Sequence, residues 1–81
     1  MVIDSMFSIA GRGTVVTGVV KKIVSIGDTV TVKSTSKSYR VAGIECFKKS
    51  VKTAPLNQSC GLLLYVANRN DIKNGDELIC E

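Results

Sequence analysis

GRGTVVTG, residues 11–18, decides how this chain is read. It holds three of the seven glycines, and from Gly13 the spacing is G-x-x-x-x-G, as at the start of a phosphate-binding P-loop. A P-loop also needs a lysine after its last glycine, a hydroxyl to reach magnesium, and a helix N-terminus behind it. Here Gly18 is followed by Val19 and Val20, and Thr14, Val15, Val16 and Thr17 are all β-branched. Such residues favour extended backbone, and a strand cannot wrap a phosphate. The dinucleotide pattern G-x-G-x-x-G fails as well, because residue 16 is valine. The stretch reads instead as a hairpin. Gly11 and Gly13 flank Arg12 in the connection, and Gly18 marks a bulge or bend inside the second strand.

Strand signals recur on both sides of it. Residues 3–10, IDSMFSIA, put Ile3, Ser5, Phe7 and Ile9 on one face. Thr29–Lys33 alternates valine with polar residues, residues 39–47 and 60–66 are longer apolar runs, and ELICE closes the chain. Between them lie turn chemistries at Gly27-Asp28, Ser34–Ser38, Ala54–Gln58 and Asn74–Asp76. Gly27-Asp28 and Gly75-Asp76 repeat one device, a glycine for the tight turn and an aspartate to accept backbone N–H groups. Residues 70–74 suit a single helical turn. Six or more short strands without intervening helices predict an all-β antiparallel barrel or sandwich, and at this length a small closed barrel is the better fit. Closure would remove the sheet edges.

The 81 residues form one domain, 1–81, with a single small core. Eleven Lys and Arg against seven Asp and Glu give a net charge of +4, which fits either a lysine-rich surface or a polyanion-binding patch. The candidate cations are Arg12, Lys21, Lys22, Lys48, Lys49 and Lys52. Histidine is absent, so the commonest general base is missing, and no nucleophile sits beside a base. No enzyme activity, cofactor or metal is expected. Cys46, Cys60 and Cys80 have no C-x-x-C spacing, and each falls in an apolar run, so buried reduced thiols in a cytoplasmic protein are expected. No apolar run is long enough to span a membrane.

Taken in order, FSIAGRGTVVTG, IGDTVTV, VAGIECFKK, CGLLL and NDIKNGDEL resemble the second domain of elongation factor Tu. This is the β-barrel that follows the GTPase domain in translational GTPases, including the selenocysteine-specific relatives. The resemblance covers essentially the whole chain. It implies a domain II-type barrel of six strands and a non-catalytic binding module that contacts the tRNA acceptor end or ribosomal RNA. GTP hydrolysis would reside in a domain absent from these residues. Carried over by position, it points to Asp4, Phe7, Glu45, Phe47 and Lys48 for aminoacyl-tRNA contact. A carboxylate suits an α-amino group, an aromatic ring suits the terminal adenine, and a cation suits phosphate. Phe7 and Phe47 equally suit a small core, whereas Glu45, between Ile44 and Cys46, must face solvent or a partner. Ser5 and Val19 stand where the family usually has an acid and an arginine, and Ser59 stands where it has an asparagine. These departures motivate the alternatives, a free-standing barrel that binds a protein or itself, or a fragment of a translational GTPase.

Overall fold

The structure is a computed structural model describing residues 1–66 and 69–80. Nine strands follow in chain order: β1 Ser5–Ile9, β2 Gly13–Val19, β3 Val24–Ser25, β4 Thr29–Val32, β5 Ser38–Cys46, β6 Lys49–Val51, β7 Thr53–Ala54, β8 Ser59–Leu64 and β9 Leu78–Cys80. A 3-10 turn, Arg69–Asp71, is the helical element, one residue earlier than expected and shorter. Glu81, in the expected closing strand, lies outside the described residues.

The main sheet runs β1-β2-β8-β5-β4-β9 with β6 on β5, and β3 pairs β7 separately. Every strand pairing is antiparallel. The all-β antiparallel expectation therefore holds, with nine short strands among the described residues rather than six. The hydrogen-bonded path between named strands has two ends, β1 and β9. The segment before β1 reaches across to the residues around β9. Val2 bridges Glu77, the Ile3 N–H donates to the Asp76 carbonyl at 2.9 Å, and the Leu78 N–H donates to the Met1 carbonyl at 2.7 Å.

The core follows from alternation. Val16 of β2, Cys60, Leu62 and Leu64 of β8, and Val30 and Val32 of β4 all point inward, with Ile3, Val20 and Ile72 filling the ends. Val41 and Ile44 of β5 are both buried although an odd spacing separates them. A bulge between Val41 and Gly43 resets the alternation. The bend expected at Gly18 is therefore found on β5 instead, because Gly18 pairs regularly with Cys60. Gly18 serves close approach: a Cβ there would collide with the Val2 carbonyl oxygen and crowd Met1.

Alternation in the first segment also slips. The Asp4 N–H donates to the Thr17 carbonyl, while Ser5 is the residue in register with Thr17. Ile3 thus points into the core and Met6 packs against it, whereas Ser5 and Phe7 face outward. The expected single face of Ile3, Ser5, Phe7 and Ile9 is broken by this irregularity.

The repeated Gly-Asp device is present twice. Gly27 and Gly75 adopt φ of +96° and +90°. Asp28 accepts from the Ser25 N–H at 2.8 Å, and Asp76 accepts from the Lys73 N–H at 3.0 Å. Each carboxylate closes its own turn, three residues back.

The cysteines differ from expectation. Cys46 and Cys60, direct partners in the β5–β8 register, form a disulfide, and Cys80 alone is free. Burial pushes the Cys80 thiol up. Nothing in the sequence places two cysteines 14 residues apart opposite one another until the strand register is known.

Candidate nucleic-acid interface

The residues that alternation turns away from the core form a face of their own on β1, β2, β8 and β5. One row across it is Phe7, Val15, Leu63 and Gly43, and the next is Ser5, Thr17, Gly61 and Glu45. Two of these eight positions are glycine and add no side chain of their own, although Val15, Thr17 and Leu63 stand within 3.0–3.6 Å of where their Cβ atoms would be. The result is a groove of about 420 Å³, lined by Phe7, Ile9, Arg12, Val15, Thr17, Glu45, Ser50 and Leu63 with Gly43 and Gly61 as its floor. That volume falls in the usual range of ligand sites, roughly 300–1,000 Å³.

Three of the ten sequence-nominated residues line this groove, Phe7, Arg12 and Glu45. Phe7 is 51% exposed, which settles its two readings against core packing. Glu45 is exposed, as an acid within an apolar strand has to be. Its cross-strand partners are Gly61 on β8 and Ser50 on β6. The carboxylate thus stands with small neighbours on both sides.

Phe47 and Lys48 border the groove in an unexpected way. The sequence places Phe47 in a strand, but it begins the two-residue loop between β5 and β6. Cys46 and Lys49 pair on either side of that loop, and Phe47 and Lys48 have φ of +54° and +63°. Two consecutive positive φ values define the hairpin turn that prefers Asn-Gly. An aromatic and a lysine there cost roughly 1–3 kcal/mol each. Phe47 is 73% exposed, so no core packing offsets that cost. Replacing Phe47-Lys48 with Asn-Gly should raise the unfolding free energy by about 1–2 kcal/mol, measured in urea, while weakening any ligand held by the groove.

Asp4 lies one step from the groove. The Thr17 hydroxyl donates to Asp4 Oδ1 at 2.7 Å and sits 2.7 Å from Ser5 Oγ. Because Thr17 gives its single proton to the carboxylate, Ser5 donates to Thr17. Asp4 itself lines a second hollow of about 470 Å³ with Met1, Val2, Val19, Lys21 and Glu77.

The cations do not share one hollow. Arg12 stands at the hairpin end of the groove, Lys48 and Lys49 lie at the β5–β6 turn, and Lys21 lines the second hollow. Lys22 and Lys52 are exposed on the segments that lead into β3 and into β7, the two strands of the separate ribbon. Val15, Thr17, Gly43, Gly61 and Leu63 were not nominated from sequence. The signal was the outward half of each alternating strand, but it identifies a site only once four strands are in register. Among the described residues no cluster of three or more metal-ligating side chains occurs.

No protein-family model matches the chain. Among solved structures it is similar to the apo translation elongation factor SelB of Methanococcus maripaludis, with 37% identity and a TM-score of 0.85 over 96% of this chain and 17% of that one. It is also similar to a bacterial selenocysteine-specific elongation factor EF-Sec, with 28% identity and a TM-score of 0.83 over 95% of this chain and 13% of that one. The same Methanococcus factor in complex with the GTP analogue GPPNHP matches at 36% identity and a TM-score of 0.82, over 94% and 17% of the two chains. The chain therefore spans less than a fifth of the length of each protein it matches.

Proposed function

From a chain that resembles, along nearly its whole length, the domain II found in elongation factor Tu and related translational GTPases, we propose a non-catalytic binding module of translation. Its groove seats the aminoacylated 3′ end of a tRNA. The observation that carries this reading is the pairing of Phe7 and Glu45 across a glycine-floored groove with Arg12 at its end. Phe7 offers a stacking surface for an unpaired base, and Glu45 offers an acceptor for an α-amino group. Arg12, Lys48 and Lys49 meet phosphates. The strained Phe47-Lys48 turn supports the same reading, since it holds a second aromatic and a cation out at the border. Arg12 is flanked by Gly11 and Gly13 on the β1–β2 hairpin, so its cation stands free of the strand ladder. GTP hydrolysis belongs to another domain. The contacts of Met1–Ile3 with residues 76–78 support reading the two sheets as a barrel of the domain II type, with β1 itself left as an open edge.

Affinity for aminoacylated and deacylated tRNA, measured against salt, tests this. Three phosphate contacts give a log–log salt slope of roughly −2, at about 0.7 per contact for single strands. Glu45→Ala should weaken the aminoacylated form about tenfold and leave the deacylated form unchanged, as expected when a charged acceptor is lost. Equal affinity for the two tRNAs, unaffected by Glu45→Ala, would remove the groove from the account.

A second reading rests on the other hollow. Val2 and Val19 are 57% and 37% exposed there, beside Asp4, Lys21 and Glu77. An apolar centre rimmed by mixed charge fits a contact with another protein or protein domain.

A further inference from the structure

We infer that the free edge of β1 pairs antiparallel with β1 of a second copy of this chain. Among the described residues β1 has one hydrogen-bonded neighbour, β2, and it ends the sheet. Edge strands in soluble proteins are guarded by charge, proline, a bulge or a cover. From Ser5 to Ile9 this edge is Ser-Met-Phe-Ser-Ile, five residues with no charge and no proline. Its register with β2 is unbroken from Ser5↔Thr17 to Ile9↔Gly13, so no bulge interrupts it within those residues. The N-terminal segment that meets β9 stops short of it, since the contacts with residues 75–78 involve Met1, Val2 and Ile3.

Charge selects the occupant and the direction. Asp4 precedes the strand and Arg12 follows it on the hairpin, and neither has an ion-pair partner within the chain among the described residues. A parallel pairing of two copies would set Asp4 beside Asp4 and Arg12 beside Arg12. The antiparallel pairing brings each Asp4 end against the other copy's Arg12 end. With the two-fold axis at Ser8, Phe7 of one copy stands opposite Ile9 of the other, and Phe7 and Ile9 are outward-facing residues on one face. A dyad normal to the sheet keeps that face common. The two grooves then adjoin across a seam made of both Phe7 rings and both Ile9 side chains. Such a cross-strand aromatic–aliphatic pair is a stabilising unit of sheets. This inference does not depend on what the groove binds.

The interface is small, so the dimer is weak and concentration-dependent. Sedimentation equilibrium on the full chain should show the mass rise from 8.7 kDa towards twice that value as protein approaches millimolar concentration. Ser8→Lys and Ser8→Glu each place like charges on the dyad, so each variant alone should stay monomeric. Mixed in equal amounts, they should associate. Far-ultraviolet circular dichroism of each variant, matched to the parent, shows that the strand still forms. A parent chain that remains monomeric at millimolar concentration would overturn the proposal, as would a Ser8→Lys variant that associates as the parent does.

Discussion

Gly18→Ala is expected to destabilise the protein by about 3 kcal/mol, at or above the upper end of ordinary overpacking. The added methyl would point at the Val2 carbonyl oxygen, with Met1 Cγ at 3.1 Å behind it. The obstacle is main chain, held in place by the pairing of Met1, Val2 and Ile3 with residues 76–78, and so it cannot rotate aside. Relief requires the N-terminal segment to lift, which exposes Met1 and Ile3, both core residues. Gly27→Ala is the internal control. It meets open space but sits at a φ of +96°, so it should cost about 1–2 kcal/mol, through backbone strain alone. Urea unfolding of the two variants separates the effects. Equal midpoints would mean that the first residues do not lie against β2.

Reduction of the Cys46–Cys60 disulfide is the second large effect. The bond closes a segment of sequence separation 14. Loop-closure entropy for a loop of that size gives about 3 kcal/mol. At roughly 4–8 °C per kcal/mol for a domain of this size, the melting temperature should fall by about 15 °C in reductant. The bond joins β5 to β8, the two strands that carry Glu45 and Gly61, so loosening it also loosens the groove. Thiol titration of the unfolded, unreduced protein should find one reactive group, Cys80, and three after reduction. Three thiols before reduction, with no shift in melting temperature, would show that the pair is open.

Much of this fold was legible in the residues. β-branched runs and turn chemistry gave the strands, and the two Gly-Asp turns were readable because their contacts are local, aspartate to an N–H three residues away. What escaped depends on contacts between distant segments. Gly18 looks like a bend within its strand, yet the constraint on it comes from Val2, which no local pattern reveals. The odd spacing of Val41 and Ile44 did record the β5 bulge, but a continuous apolar run hides such a slip. The disulfide and the groove share one cause, the β5–β8 register, which sets Cys46 opposite Cys60 and Glu45 opposite Gly61. The residues taken from the family resemblance were scattered by the fold. Phe7 and Glu45 came together, Phe47 and Lys48 went to the border turn, and Asp4 reached the site only through the Thr17 hydroxyl. The basic residues were nominated by charge alone, which carries no information about which face they occupy.

The most direct test is a backbone amide titration by NMR, with an aminoacylated tRNA acceptor-stem minihelix added at low salt. The account predicts shifts at Phe7, Thr17, Glu45, Gly61 and the Phe47-Lys48 turn, fading as salt rises, while Ser25 and Thr53 on the β3–β7 ribbon stay fixed. A titration that leaves the groove amides unmoved, or moves only those around Val2 and Val19, would contradict it.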